Sequence, residues 1–188
     1  MRLFAAIIPP EPVRAELFSV VTAVAPGTSE LEITRVGSMQ LPVTSFGNVT
    51  QQDFDQLMRT LVREATQWPR PRIRFSGSAA LEFEGDRSVW SRVDGDLDSL
   101  FTVGRGVPSA VKRLGFLVDR RRFRPWLAVG TITETTSAPY LEQLVAALDD
   151  FTGRLWTLEA LSIIRRVPRD EAGQVEDLVI EEVPLGGS

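Results

Sequence analysis

A run of arginines leads directly into an alternating strand in the second half of the chain, RRRFRPWLAVGTIT from Arg120 to Thr133. Guanidinium groups form bidentate hydrogen bonds to phosphate or carboxylate oxygens. A basic loop beside a rigid strand is typical of a site that holds a phosphate next to a proton-transferring side chain. Trp126 occupies the position where the proton-transferring side chain is expected. Its indole N–H donates a hydrogen bond but does not titrate. The sequence predicts phosphate-binding groups beside a strand that lacks its acid or base.

The composition excludes several kinds of chemistry. The chain has 188 residues, without a single cysteine or histidine. Disulfides and thiolate chemistry are therefore excluded, and a cytoplasmic location is the default expectation. Serine-histidine triads, histidine zinc sites and histidine dyads are excluded as well. We expect no metal and no other cofactor.

The charge of the chain is concentrated in arginine clusters rather than spread evenly. The net charge is −4, with 21 basic and 25 acidic residues, which does not by itself indicate a nucleic-acid-binding protein. Lys112 is the only lysine, and the arginines crowd into 70–74, 120–124 and 165–169. An excess of arginine is also typical of a GC-rich genome. The clusters therefore leave open whether any of them faces a phosphate.

Hydrophobic periodicity and capping residues predict three helices. They span residues 10–24, residues 50–68 with Asp53 completing a capping box at Thr50, and a segment that begins after Ser137. The segment Leu97–Leu114 has helical patches broken by Gly104, Gly106 and Pro108. No window approaches the roughly 18 to 20 apolar residues of a membrane helix, and we expect no signal peptide and no membrane contact.

Alternating or apolar runs bounded by turn residues predict the strands. They cover residues 3–8, 31–36, 40–46, 73–75, 81–83, 89–93, 114–118, 125–133, 155–164 and 175–183. Strands and helices interleave without a long linker. We therefore expect one α+β domain over residues 1–188.

Two of these strands have one apolar face and one face unlike a core, because residues i and i+2 share a face. In the later strand, Leu127 and Val129 point to the core, and Trp126, Ala128 and Gly130 point away from it. In the earlier strand, Leu41 and Val43 point to the core. Gln40, Pro42 and Thr44 are expected on its other face.

Four stretches stand in order along the chain: MRLFAAIIPPEPVRAEL, SFGNVTQQDFDQL, RRRFRPWLAVG and the closing TLEALSII with VEDLVIEEVPL. In order and spacing they resemble the 2H phosphoesterase superfamily, specifically the bacterial RNA 2′,3′-cyclic phosphodiesterase or 2′-5′ RNA ligase-like group. The resemblance covers nearly the whole chain. It implies a bilobal, pseudo-twofold α+β fold in which two antiparallel sheets line a central cleft, with helices outside and two interleaved lobes.

The family is defined by two His-x-Thr motifs, one on each cleft strand. One histidine accepts a proton from the attacking group, the other protonates the leaving oxygen, and the threonines hold the phosphoryl oxygens. By position, the first motif falls on Gln40 and Pro42 and the second on Trp126 and Ala128, so all four functional positions differ from the family. A shortened first strand would instead place Pro42 and Thr44 there, which retains one threonine. Neither register supplies a histidine.

The missing histidines predict a catalytically inactive protein. One general acid or base contributes about 10²- to 10⁴-fold in rate, so the loss of two raises the barrier by roughly 5 to 11 kcal/mol. The leading hypothesis is a non-catalytic domain that binds RNA, a nucleotide or a protein partner through the former cleft. The candidates for phosphate or RNA contact are Thr44, Arg120, Arg121, Arg122, Arg124 and Trp126.

Two alternatives remain from the sequence. The chain could be an active cyclic phosphodiesterase that uses other residues, with Asp119 and Glu134 as replacement acid and base. It could also be a structural or interaction protein whose cleft is closed. The role of Trp126 differs between the hypotheses. In a binding domain its indole offers a stacking surface for a base. In a protein with a closed cleft it fills the cleft as added core.

Overall fold

A computed structural model describes residues 1–79, 86–116, 122–168 and 175–186. Its helices are α1 (Glu11–Ala23), α2 (Gln51–Ala65), α3 (Leu97–Lys112) and α4 (Ala138–Asp150). Its strands are β1 (Arg2–Ile7), β2 (Leu31–Ile33), β3 (Leu41–Asn48), β4 (Arg72–Ala79), β5 (Ser88–Gly95), β6 (Trp126–Ile132), β7 (Trp156–Thr157), β8 (Ala160–Pro168) and β9 (Val175–Pro184). The predicted strand 81–83 and the loop between the last two predicted strands lie outside these ranges.

The strands form two antiparallel sheets. Sheet A has the order β3-β1-β8-β9, and sheet B has the order β2-β6-β5-β4-β7. Sheet A joins the first strands of the chain to the last ones, so the two lobes are interleaved rather than consecutive. The prediction of an α+β fold with two antiparallel sheets is confirmed.

Two helices begin at the capping residues that the sequence predicts. The Thr50 hydroxyl accepts a hydrogen bond from the Asp53 backbone N–H at 3.2 Å, and α2 follows directly. The Ser137 hydroxyl accepts from the backbone N–H of Tyr140 at 3.3 Å at the start of α4. Each cap satisfies one of the backbone donors that an N-terminal turn leaves unpaired.

The prediction of a broken helix between 97 and 114 is wrong, because α3 runs through both glycines and Pro108. The glycines are packing positions: a Cβ at Gly104 would overlap the ring of Phe123, and a Cβ at Gly106 would lie 2.7 Å from Cε2 of Trp68. A proline inside a helix costs about 3 kcal/mol. Burial of one apolar face of α3 offsets this cost.

Two predicted strands also differ in the structure. Residues 113–115 form a turn, with Gly115 at φ +82°, so the described part of the predicted strand 114–118 is not extended. The predicted strand 155–164 is two strands, because the chain changes sheets there. β7 pairs with β4 in sheet B, and β8 then pairs with β1 in sheet A.

The buried apolar core draws on both sheets and all four helices. Trp68 and Trp156 belong to it, and so do the inward-facing residues of β1, β3 and β6. No helix in the described ranges is long and apolar enough to cross a membrane.

We expect Gly106→Ala to destabilise the protein by up to about 2 kcal/mol. The substitution gains about 1 kcal/mol in helix propensity, but the added Cβ overpacks against Trp68, which typically costs about 1 to 3 kcal/mol. The free energy of unfolding from urea titration measures the difference. Gly37→Ala is the matched control, since a Cβ there meets nothing within 4 Å. Equal stability of the two variants would contradict the packing role.

Candidate functional site

The two strands that carry the motif positions lie side by side. Cα atoms of β3 approach those of β6 to within 8 Å, although the two strands belong to different sheets. Leu41 and Leu127 are completely buried, as the alternation predicts. Because one face of each strand is committed to the core, Pro42 and the pair Trp126 and Ala128 lie on the opposite faces, exposed or half-buried.

A β-bulge changes the face of Thr44. Between Ala5 and Ala6 of β1 the register shifts, so that Pro42 pairs with Ala6 and Thr44 pairs with Ala5. Cross-strand partners share a face, and Ala5 belongs to the buried apolar core, whereas Ala6 does not. Thr44 is only 8% exposed, and its hydroxyl has no hydrogen-bond partner. The sequence places Gln40, Pro42 and Thr44 on one face, but in the structure Thr44 lies on the core side of β3.

Gln40 is held by residues from the far edge of sheet A. Its Nε2 donates to Oδ2 of Asp177 at 3.2 Å. Gln40 precedes β3 and Asp177 lies on β9, and these strands are the two edges of the sheet. The hydrogen bond therefore crosses the face of the sheet. This contact occupies the side chain at the first motif position.

Asp177 also forms a bidentate ion pair with Arg166 on β8. The Nε and Nη2 atoms of Arg166 donate to the two carboxylate oxygens at 2.7 and 2.8 Å. The hydrogen bond to Asp177 is the main cause that raises the pKa of Arg166 above its usual value. The Arg166 guanidinium lies 4.9 Å from the centroid of the Phe4 ring on β1. The cleft face of sheet A thus has an aromatic ring covered by a paired arginine.

The cleft face of sheet B has a similar combination. The ring centroids of Trp90 and Trp126 lie 6.3 Å apart with a 52° tilt, and the Arg124 guanidinium lies 5.1 Å from the Trp126 ring centroid. Arg92 is the cross-strand partner of Trp126, and Ala128 is the partner of Trp90. At the second motif, two indoles and the Arg124 guanidinium lie near Ala128, and the Arg92 guanidinium lies over Gly77 of β4.

The three arginine clusters have different roles among the described residues. Two members of the first cluster and one member of the third form ion pairs with carboxylates. These pairs are Arg70 with Glu159 at 3.2 Å, Arg74 with Asp94 at 3.2 Å and Arg166 with Asp177 at 2.7 Å. In the middle cluster, Arg122 and Arg124 are exposed, and the predicted phosphate contacts Arg120 and Arg121 lie outside the described residues.

The proposed replacement acid and base have no observed place in the cleft. Glu134 is an exposed residue of the turn after β6, which ends at Ile132. The strand parity with Trp126 that the sequence suggests therefore does not extend to it. Asp119 lies outside the described residues. In the described ranges, no group of three or more acidic side chains is arranged to hold a metal ion.

Two surface cavities of the described chain lie away from the motif positions. One, of about 690 Å³, is an open groove beside α2 with Glu181 of β9 in its wall. The other, of about 140 Å³, lies near the end of α1 and includes Tyr140. Neither is lined by Gln40, Pro42, Trp126 or Ala128.

Comparison with known proteins supports the fold. No family model and no curated protein matches the sequence. Three solved structures match nearly the full chain: TT0787 of Thermus thermophilus (20% identity, TM-score 0.75, 100% of this chain and 99% of that chain), E. coli LigT complexed with 3′-AMP (14%, 0.72, 98% and 98%) and E. coli LigT complexed with phosphate (13%, 0.70, 98% and 97%).

These structures belong to the 2H phosphoesterase superfamily. The chain therefore has the LigT-like fold of 2H phosphoesterases, and the bilobal α+β prediction is confirmed. At 13 to 20% identity the likeness shows the fold. The chemistry of the cleft has to be argued from its own residues.

Several side chains of the cleft were not predicted from the sequence. Trp90 and Arg92 alternate with the buried Val89 and Val93 in β5, and this parity could have placed them on the face of Trp126. The contacts of Phe4, Arg166 and Asp177 had no such signal. They depend on which strands of sheet A pair and in which register, which alternation does not reveal.

We expect Thr44→Val to stabilise the protein by about 1 kcal/mol, because it removes a buried hydroxyl that has no partner while keeping the side-chain shape. Thermal or urea unfolding measures the change. Thr44→Ser is the matched control: it keeps the hydroxyl and loses only the methyl group, so it should lower stability. A loss of stability in the valine variant would show that the hydroxyl is hydrogen-bonded in the native protein.

Proposed function

We propose that this protein is a catalytically inactive relative of the 2H phosphoesterases that binds a nucleotide or single-stranded RNA in its cleft. The observation that carries the proposal is the set of residues at the four motif positions. An amide, a proline, an indole and a methyl group stand at Gln40, Pro42, Trp126 and Ala128. None of them exchanges a proton near neutral pH.

The contacts of these residues support the loss of catalysis. Gln40 donates to Asp177, and Asp177 is already neutralised by Arg166. Both carboxylate oxygens of Asp177 are engaged by the Arg166 guanidinium, so they are not free to contact a substrate. Trp126 contacts the Arg124 guanidinium and the Trp90 ring. Among the residues that the structure describes, the four motif positions do not offer the acid and base pair that cleavage of a cyclic phosphate requires.

The remaining side chains of the cleft suit a phosphate-containing ligand with aromatic parts. Arg92 and Arg124 lie beside the indoles of sheet B. Guanidinium groups bind phosphate, and aromatic rings stack on bases. E. coli LigT, which has the same fold, has been crystallised with 3′-AMP and with phosphate. These properties favour a nucleotide or RNA over a protein partner as the ligand.

A closed cleft is the second candidate, and one contact favours it. The hydrogen bond from Gln40 to Asp177 joins the two edges of sheet A across its face. In a structural or interaction protein this bridge would keep the first half of the cleft shut, and phosphate ligands would not bind.

We expect the purified protein to hydrolyse nucleoside 2′,3′-cyclic phosphates with a turnover far below about 1 s⁻¹, a typical enzyme rate. Product formation is measured by chromatography, with an active 2H phosphoesterase as the positive control. Glu134→Gln should leave any residual rate unchanged. A turnover above about 1 s⁻¹ that falls in this variant would establish the alternative, an enzyme with a relocated acid or base.

We expect the same protein to bind an oligoribonucleotide, with an affinity that falls as salt rises because each phosphate contact releases counterions. Fluorescence anisotropy at several salt concentrations measures the slope. Arg92→Gln should reduce both the affinity and the slope, whereas Arg63→Gln, an exposed change on α2, should not. Absence of binding at low salt would support the closed cleft.

A further inference from the structure

The two tryptophans of the cleft differ from the other two in how they are packed. Trp68 and Trp156 are members of the buried core. Trp90 and Trp126 are half-buried, and in the described part of the chain they belong neither to that core nor to the half-buried apolar side chains packed against it. An indole that fills a cleft as added core would extend the core cluster. These two rings instead form a separate aromatic pair on the face of sheet B.

The Trp90 ring is held in place by its own donor. Its Nε1 donates to Oδ2 of Asp86 at 2.9 Å, four residues earlier in the chain. Asp86 in turn accepts from the backbone N–H of Ser88 at 2.9 Å, which fixes the carboxylate. The only polar atom of the indole is therefore satisfied within the protein. What remains for a ligand is the ring surface.

A break in the strand pairing positions Trp90 beside the second motif. The register between β5 and β6 shifts between Val89 and Trp90, and Trp90 then pairs with Ala128. Bulges next to functional sites commonly redirect a side chain. Ala128 has only a methyl group as its side chain, which leaves room for the Trp90 ring next to Trp126. The second motif therefore carries a pair of indole rings, Trp90 and Trp126, next to the small side chain of Ala128.

The charges around the Trp90–Trp126 pair determine which kind of ligand it can bind. Paired indoles also bind quaternary ammonium groups, but such cages gain from nearby negative charge. Here Arg92 pairs with Trp126 across the strands and the Arg124 guanidinium covers one side of the Trp126 ring. Arg92 forms none of the ion pairs seen among the described residues. It does lie close enough to Asp149 to help lower the pKa of that carboxyl, after the larger effects of the Ser78 backbone and hydroxyl hydrogen bonds. The Arg92 and Arg124 guanidinium groups attract a phosphate and repel a cation, whereas the Asp86 carboxylate is engaged by Nε1 of Trp90 and the backbone N–H of Ser88.

Resting on the proposed function, we propose that Trp90 and Trp126 form a base-stacking platform in which Arg92 binds the phosphate of the same nucleotide. The 52° tilt and the 6.3 Å separation exclude a base sandwiched between parallel rings. The base stacks on one side of the aromatic pair, and the second ring borders its edge. Stacking tolerates all four bases, so the platform selects for a nucleobase with a phosphate rather than for a sequence.

The test compares AMP with ribose 5-phosphate, which has the phosphate and the sugar but no base. Isothermal titration at low salt is expected to show tighter binding of AMP. Trp126→Leu and Trp90→Leu should each weaken AMP binding by about 5- to 100-fold, the range for loss of one stacked base. Both variants should leave the affinity for ribose 5-phosphate unchanged. Arg92→Gln should weaken binding of both ligands.

Phe4→Leu provides the matched control, because Phe4 is a cleft aromatic ring that also lies under a guanidinium, but on sheet A. Its AMP affinity should equal that of the original protein. Circular dichroism and thermal unfolding confirm that each variant is folded. Trp126→Phe should recover most of the affinity lost in Trp126→Leu, which separates stacking from general packing.

The possible failures are distinct. If Arg92→Gln weakens AMP binding and both tryptophan variants do not, the cleft binds phosphate and the platform is wrong. If Phe4→Leu loses as much affinity as Trp126→Leu, the base does not stack specifically on sheet B. If neither AMP nor ribose 5-phosphate binds, the proposed function fails and the platform fails with it.

Discussion

The alternation of core-facing and cleft-facing residues at the start of β3 and of β6 is the constraint on which the cleft depends. In β3 and β6, Leu41 and Leu127 are completely buried, so neither strand can rotate without moving its apolar face out of the core. The opposite faces are then held toward the space between the sheets, whatever residues they carry. The fold can therefore keep its shape while the chemistry of Pro42, Trp126 and Ala128 changes. Core packing and cleft chemistry are separable here because they use different faces of the same strands.

Features of this fold could be predicted from the sequence where they depend on a local pattern, and not where they depend on residues distant in the chain. Caps at Thr50 and Ser137 and the buried faces of β3 and β6 are local patterns, and the structure confirms them. The continuity of α3 was not predictable, because Gly104 and Gly106 serve side chains that are distant in sequence. The position of Thr44 was missed for a related reason. A bulge adds one residue to one strand, and nothing in the alternation of β3 marks where this occurs.

The two walls of the cleft repeat one physical arrangement with different partners. Each has an aromatic ring under a guanidinium, Phe4 under Arg166 and Trp126 under Arg124. On sheet A the arginine is engaged by Asp177, and this carboxylate also holds Gln40. A charge engaged in a bidentate ion pair has less attraction left for a ligand. The proposed ligand site lies on sheet B, where the Trp90 and Trp126 rings form an aromatic pair.

The absence of histidine also changes how such a cleft responds to pH. Histidine is the side chain whose unperturbed pKa lies near neutrality, so a two-histidine cleft changes its charge within the physiological range. The cleft of this protein presents arginines, carboxylates, an amide and aromatic rings, and Asp177 raises the pKa of Arg166 further. Guanidinium groups in general stay charged across neutral pH. A catalytic site needs groups that gain and lose protons, whereas a binding site benefits from charges that do not. The residues at the motif positions and the arginines near them fit the second requirement better than the first, as the proposed binding function requires.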